Sequence, residues 1–197
     1  RALAIRALGH RGGSAAVLAL VDVYATASPG ERREVIAALA LPASAGAGGV
    51  EQLETLAQGS GEPSLLAAIA LEGHAASAAL ASATLLRAIE GGKRDARLLA
   101  LAGAPWSDPR LREAIGAARK HDDPATRVLA LWRVVEAGPR DRLDSEALRE
   151  LERLGTDAVT PVGAVARAAL ARAGRASVGP ALRADLGARE ADRRDHE

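Results

Sequence analysis

The sequence contains no cysteine, no methionine and no phenylalanine. Without cysteine there is no disulfide framework and no thiolate zinc site. The compartment stays open between cytoplasm and export. Aromatic side chains are confined to Tyr24, Trp106 and Trp132. Aromatic and β-branched residues are the sheet formers, and their scarcity disfavours sheet from the outset. Lysine occurs only at Lys93 and Lys120 among 26 basic residues, which 25 acidic residues almost cancel to a net charge of +1. That balance gives no general affinity for nucleic acid or an anionic membrane. No run of 18 apolar residues occurs, so no segment reads as membrane-spanning. Nothing resembles a signal peptide. The chain begins at Arg1 without Met, already inside a helical pattern, and reads as a piece of a longer protein.

Alanine fills 48 of the 197 positions. It has the best helix propensity, and its small side chain lets helices approach closely. Each alanine removes little surface from water, at roughly 25 cal/mol per Å² of apolar area. Stability must therefore come from many modest contacts. The arginine-over-lysine and alanine bias matches that of a GC-rich bacterial genome.

A short Ala/Leu-rich helix running into Gly or Pro recurs along the chain. The copies are Arg1–Gly9, Arg33–Pro42, Leu65–Gly73, Arg97–Gly103, Arg127–Gly138 and Val165–Gly174, with terminators 33, 31, 30, 35 and 36 residues apart. Regular self-similarity of this length marks a repeat architecture. Each copy is followed by a second amphipathic stretch, near 14–27, 50–58, 75–90, 108–120, 144–154 and 177–188. Apolar residues there fall at helical spacing, as in Val17, Leu20, Val21 and Tyr24, or Leu148, Leu151 and Leu154. Ser28-Pro29-Gly30-Glu31 is a capping-box start, and Asp108-Pro109 and Asp123-Pro124 repeat an acidic cap before Pro. The terminating glycines are expected to close first helices in the left-handed conformation. Ala43–Gly49 reads as a flexible inter-helix loop, and Ser14, Ser60 and Ser177 read as helix caps.

The segment Asp122-Asp123-Pro124-Ala125-Thr126-Arg127-Val128-Leu129-Ala130-Leu131-Trp132 resembles the opening of a HEAT-type repeat, especially the short bacterial variety also found in phycobilisome lyases. The Asp-Pro, the Arg and the Ala/Leu ladder carry the match. It covers nearly the whole chain in period, and is specific in wording around 122–138 and moderately so at 1–27. The copy at 62–90 lacks the Arg, and the copy at 160–174 has Pro161 without a preceding Asp. The resemblance implies an all-α fold: a right-handed α-α superhelix, or solenoid, of about six two-helix HEAT-like repeats. It also implies that the second helices line a concave face. The array is expected to span 1–188 as a single domain, with 189–197 as a charged tail or linker.

No motif for catalysis stands out. His10 and His74 follow helix-ending glycines, where positive charge is favourable. Neither they nor His121 and His196 have metal-ligand spacing. Asp141, Asp144, Glu146 and Glu150 alternate with Arg140, Arg142 and Arg149, the pattern of a solvated, ion-paired helix start. Gly12-Gly13, Gly46–Gly49 and Gly91-Gly92 lack the Lys-Ser/Thr of a phosphate-binding loop. Trp132 lies on the apolar ladder with Val128, Leu131 and Val135 and reads as core. Trp106, between two helices, reads as a wedge between repeats or as an exposed aromatic anchor.

Charge supplies the one directional hint. Early second helices carry Asp22, Glu51 and Glu54, whereas later ones carry Arg87, then Arg110, Arg112 and Arg119, then Arg149 and Arg153, then Arg183. A surface of this kind suits a protein partner. The expected function is a non-enzymatic scaffold binding protein through Arg87, Trp106, Arg112, Arg119, Arg149, Arg153 and Arg183, with no cofactor, no metal and no nucleic acid. The alternatives are a HEAT-like enzyme, of the bilin lyase type or of the DNA glycosylase type with Trp106 and Asp108 at its site, or a structural spacer in a larger bacterial protein.

Overall fold

The computed structural model describes residues 1–137, 145–157 and 160–174. Among them every regular element is helical. The contacts divide the chain into two compact units, one from Arg1 to Leu111 and one from Arg112 onward.

The first unit is built from α1 (Ala2–Arg11), α2 (Ser14–Thr26), α3 (Pro29–Leu39), the single turn α4 (Pro42–Ser44), α5 (Val50–Ala57), α6 (Gly61–Ala70), α7 (Ala78–Gly91) and α8 (Arg94–Gly103). Two short 3-10 turns, Leu71–Gly73 and Ala75–Ser77, join α6 to α7. Helix α9 (Pro109–Ala118) straddles the division. The second unit contains α10 (Pro124–Glu136), α11 (Ser145–Gly155) and α12 (Pro161–Arg172). A helix thus lies at each stretch expected from the sequence wherever the chain is described. The second stretch expected at 177–188 and the tail from 189 lie outside the described residues.

The helices pack in one recurring scheme. In the first unit α1, α3, α6 and α8 touch in series, α1 on α3, α3 on α6, α6 on α8. Each intervening helix packs on both flanking members, as α2 does on α1 and α3, α5 on α3 and α6, and α7 on α6 and α8. In the second unit α11 packs in the same way on α10 and α12, which also touch each other. The core follows from the apolar periodicity. Leu20, Val35, Leu39, Leu53, Leu85 and Leu101 are fully buried in the first unit. Val128, Leu131, Leu151, Leu154 and Leu170 form the cluster in the second, with Trp132 half-buried against it.

The start signals have a direct physical counterpart. Ser28 Oγ accepts from the Glu31 N–H at 3.4 Å, and Glu31 returns a carboxylate to the Ser28 N–H at 2.9 Å. Asp123 accepts from the Thr126 N–H at 3.0 Å, and Asp108 from the Arg110 N–H at 2.8 Å. Thr160 plays the part at α12, accepting from the Gly163 N–H at 3.3 Å. These contacts satisfy donors that a helix start otherwise leaves orphaned. Two expected caps differ. Ser60 holds the cap position of α6 but makes no side-chain cap bond, and Ser14 lies inside the first turn of α2 after Gly13. Ser177 lies outside the described residues.

A second device recurs four residues after the N-cap. Arg97 of α8 donates to the Ile89 and Gly92 carbonyls at 3.0 and 2.8 Å, at the end of α7. Arg127 of α10 donates to the His121 and Asp122 carbonyls, both at 2.8 Å, just beyond α9. In α6, which lacks the Arg, Ser64 occupies the same position and donates to the Ala57 carbonyl at the end of α5, at 2.8 Å. In α3 the equivalent Arg32 lies with its guanidinium 5.4 Å from the ring centre of Tyr24, on the last turn of α2. Helix α12 reaches back one turn later, with Arg167 donating to the Gly155 and Asp157 carbonyls at 2.9 and 2.8 Å. Each of these helices thus fastens itself to the carboxyl end of the helix before it, where unpaired carbonyls accumulate.

Two of the terminating glycines, Gly9 and Gly103, act by size. Among the described terminators only Gly174 has a positive φ, at 81°. Gly9 is buried inside α1, where a methyl group would come within 2.8 Å of the Ala38 Cβ on α3. Gly103 likewise sits against Ile69 of α6. The Ala43–Gly49 stretch is not an open loop. It runs from α4 to the start of α5 across a kink at Ala47 and Gly48, where the backbone leaves the helical conformation, and buries Ser44 and Gly49. Ser44 Oγ donates to the Gly9 carbonyl at 3.0 Å, tying the turn to α1.

Candidate functional site

In the second unit a cleft of about 470 Å³ opens between the end of α9, the start of α10 and one face of α11. Helix α11 places its share by simple periodicity. Glu146, Arg149, Glu150 and Arg153 fall on the cleft side, while Ala147, Leu151 and Leu154 are buried. Arg119 and Lys120, in the turn after α9, and Arg127 of α10 complete the polar lining. Leu131 and Ala147 supply an apolar floor.

The electrostatics centre on Glu150. Arg127 Nε donates to its Oε1 at 2.7 Å, and Arg153 donates to both carboxylate oxygens at 2.8 and 2.7 Å. Arg127 is largely buried and, through the two carbonyls it also binds, fixed; Arg153 is mostly exposed. The Arg153 hydrogen bond holds the Glu150 carboxyl below the usual carboxylate range, with partial burial opposing and Arg127 reinforcing. Arg149 is exposed on α11 and Lys120 on the preceding turn. Neither makes an ion pair with a described residue. The lining carries five cationic side chains against two carboxylates, whereas the whole chain is nearly neutral.

A depressed carboxylate stabilises the fold in full above its ordinary pKa, about 4.3 for Glu, and less as pH falls through the native value. The stability gap between the native protein and Glu150→Gln should therefore hold steady from neutrality to about pH 5 and close below about pH 4. Urea unfolding across that range measures it; a gap still open at the acid end would show that the carboxylate charge is not its source.

Three of the residues expected from the sequence, Arg119, Arg149 and Arg153, meet in this cleft. Arg112 is exposed on α9 and does not line it. Arg87 belongs to the first unit, exposed on α7 beside a shallow groove with Gly59, Thr84 and Gly91. Trp106, also in the first unit, is half-buried, and its indole N–H is buried without a hydrogen-bond partner. Arg183 lies outside the described residues, as do Asp141, Asp144, Arg140 and Arg142. Sequence reasoning gave Lys120, Arg127, Leu131, Ala147 and Glu150 no site role. The spacing of Glu146, Arg149, Glu150 and Arg153 was the available signal for α11, but nothing local brings Lys120 opposite it.

Asp108 behaves as a helix cap. The Ser82 hydroxyl, followed by the Arg110 backbone and side chain, holds its carboxyl below the usual range against the opposing effect of burial. His121 Nδ1 accepts from the Asp123 N–H at 3.0 Å. Among the described residues no three His, Asp or Glu side chains gather as metal ligands, and no helix is long and apolar enough to cross a membrane. Compared with family models, curated proteins and solved structures, the chain matches none of them.

Proposed function

We propose that the protein is a non-enzymatic scaffold, a HEAT-like right-handed α-α superhelix of about six two-helix repeats, that binds a protein partner on its second-helix side. The helix scheme supports the architecture: first helices in series, each intervening helix seated on two of them, and a polar reach-back at the same position in successive copies. A two-helix unit cannot bury its apolar face alone, and stacking makes a continuous core. The observation that carries the binding reading is the convergence of Arg119, Arg149 and Arg153 on one cleft. Arginine is enriched at interface hot spots because its planar fork makes several hydrogen bonds at once.

The test is a peptide-display selection against the whole chain, with affinities of the selected binders measured on variants. Combined Arg119→Ala and Arg149→Ala should weaken them about tenfold or more, with the helical circular-dichroism spectrum retained. Selections that return no binder, or binders indifferent to both substitutions, would sink the reading.

A further inference from the structure

We infer that the α9–α10–α11 cleft takes an acidic peptide segment in which carboxylate side chains alternate with short apolar ones. This rests on the protein-binding reading above and names the chemistry of the partner.

The positive charge is local: five of the chain's 26 basic side chains line this one cleft, in a protein whose net charge is only +1. That charge is also ordered. Glu150 engages Arg127 and Arg153 together, which fixes one wall. Arg149 and Lys120, exposed and without an ion pair to a described residue, remain to meet an incoming group. A carboxylate suits Arg149, whose guanidinium can bind both oxygens in parallel. Beneath these cations lie Leu131 and Ala147, both almost fully buried, so the floor has room for a short apolar side chain rather than a large one.

The same lining disfavours a nucleic-acid backbone. Glu146 and Glu150 place two negative charges among the cations, and a continuous row of phosphates would meet both. A peptide can space its carboxylates to miss them. The cleft volume, about 470 Å³, is near the small end of the usual range for ligand sites and matches a few side chains.

The experiment uses the whole chain and fluorescence anisotropy of a labelled short peptide alternating Asp with Leu. Its Asn–Leu and Lys–Leu counterparts and a short oligo-dT run in parallel. The Asp–Leu peptide should bind about tenfold more tightly than the Asn–Leu peptide and weaken as salt rises. Arg149→Gln should cost about fivefold and Arg149→Lys less, while Glu146→Gln should tighten binding about twofold by removing a repulsion. Both sites are exposed, so unchanged melting curves confirm folding.

If Asn–Leu or Lys–Leu binds as well as Asp–Leu, and depends on Arg149, the acidic class is wrong while protein binding stands. If oligo-dT binds more tightly, with a steep salt dependence and loss in Arg149→Gln, both the acidic-peptide inference and the protein-binding reading fail. If no probe binds at concentrations up to roughly millimolar, the inference is overturned, and the display selection alone decides the broader reading.

Discussion

Arg127→Ala is expected to lower stability by about 2–3 kcal/mol, a fall in melting temperature of roughly 5–10 °C for a chain of this size. One side chain makes three bonds of similar length: to Glu150 at 2.7 Å and to the His121 and Asp122 carbonyls at 2.8 Å. Its removal strands two carbonyls beyond α9 and takes from a half-buried carboxylate its less exposed partner. The His121 carbonyl and the Glu150 carboxylate are partly buried, and leaving such groups unpaired costs more than the net worth of the bonds lost. The comparison variant is Arg153→Ala, which removes the other partner of Glu150. Arg153 is 60% exposed, against 19% for Arg127, and solvent screens its pair, so its loss should cost under about 1 kcal/mol. Arg127→Lys should not rescue, because a single ammonium on a flexible stem cannot span three acceptors held in a fork. A double-mutant cycle with Glu150→Gln would separate the carboxylate share from the carbonyl share. Thermal unfolding followed by circular dichroism gives the values. Equal costs at Arg127 and Arg153 would show that the carbonyl bonds contribute nothing.

How much of this was legible in the sequence divides along the range of the interactions. Helix starts are local. Ser28-Pro29-Gly30-Glu31 and Asp123-Pro124 contain all the atoms of their caps, and the structure uses them. Helix faces are local too, because three- and four-residue spacing alone puts Glu146, Arg149, Glu150 and Arg153 on one side of α11. The reach-back contacts are only half legible. The Arg at 127 is conspicuous beside Asp-Pro, but its acceptors lie outside its own helix, and its replacement by Ser64 in α6 is visible only once Ala57 is seen to lie beneath it. The cleft lies beyond local reach. It depends on Lys120 and Arg119, from the turn after α9, facing a helix more than twenty residues further on. The glycines misled for the same reason. Gly9 and Gly103 end helical patterns, which suggests left-handed caps, but their use is to admit Ala38 and Ile69 from neighbouring helices.

Gly12→Ala should be among the most disruptive single substitutions in the first unit, because two independent penalties fall on it. Gly12 follows α1 with φ 65° and ψ −164°, a region open essentially to glycine alone. Any side chain there costs about 1–3 kcal/mol in backbone strain. A methyl group would also run into the carbonyl of Ala43 in α4, against which the α1–α2 corner is packed. Overfilling a packed contact costs a further 1–3 kcal/mol or so, more where the obstacle is backbone that cannot rotate away. The Ala43 carbonyl cannot simply retreat, since it accepts from the Gly13 N–H at 3.3 Å and the next residue, Ser44, is bonded to Gly9. The expected loss is about 3–5 kcal/mol. Gly13→Ala isolates the first penalty. Gly13 has φ 79°, but nothing lies within 4 Å of the new methyl group, so only strain of about 1–3 kcal/mol should appear. Gly46→Ala removes both, with open space around it and no positive φ, and should be neutral to within about 0.5 kcal/mol. Urea unfolding of the three variants should therefore rank Gly12 well below Gly13, and Gly13 below Gly46. If Gly12 and Gly13 cost the same, the α1–α2 corner is held against α4 too loosely for steric contact to matter. The ordered turn through Ala43 would then contribute little to the packing of the first unit.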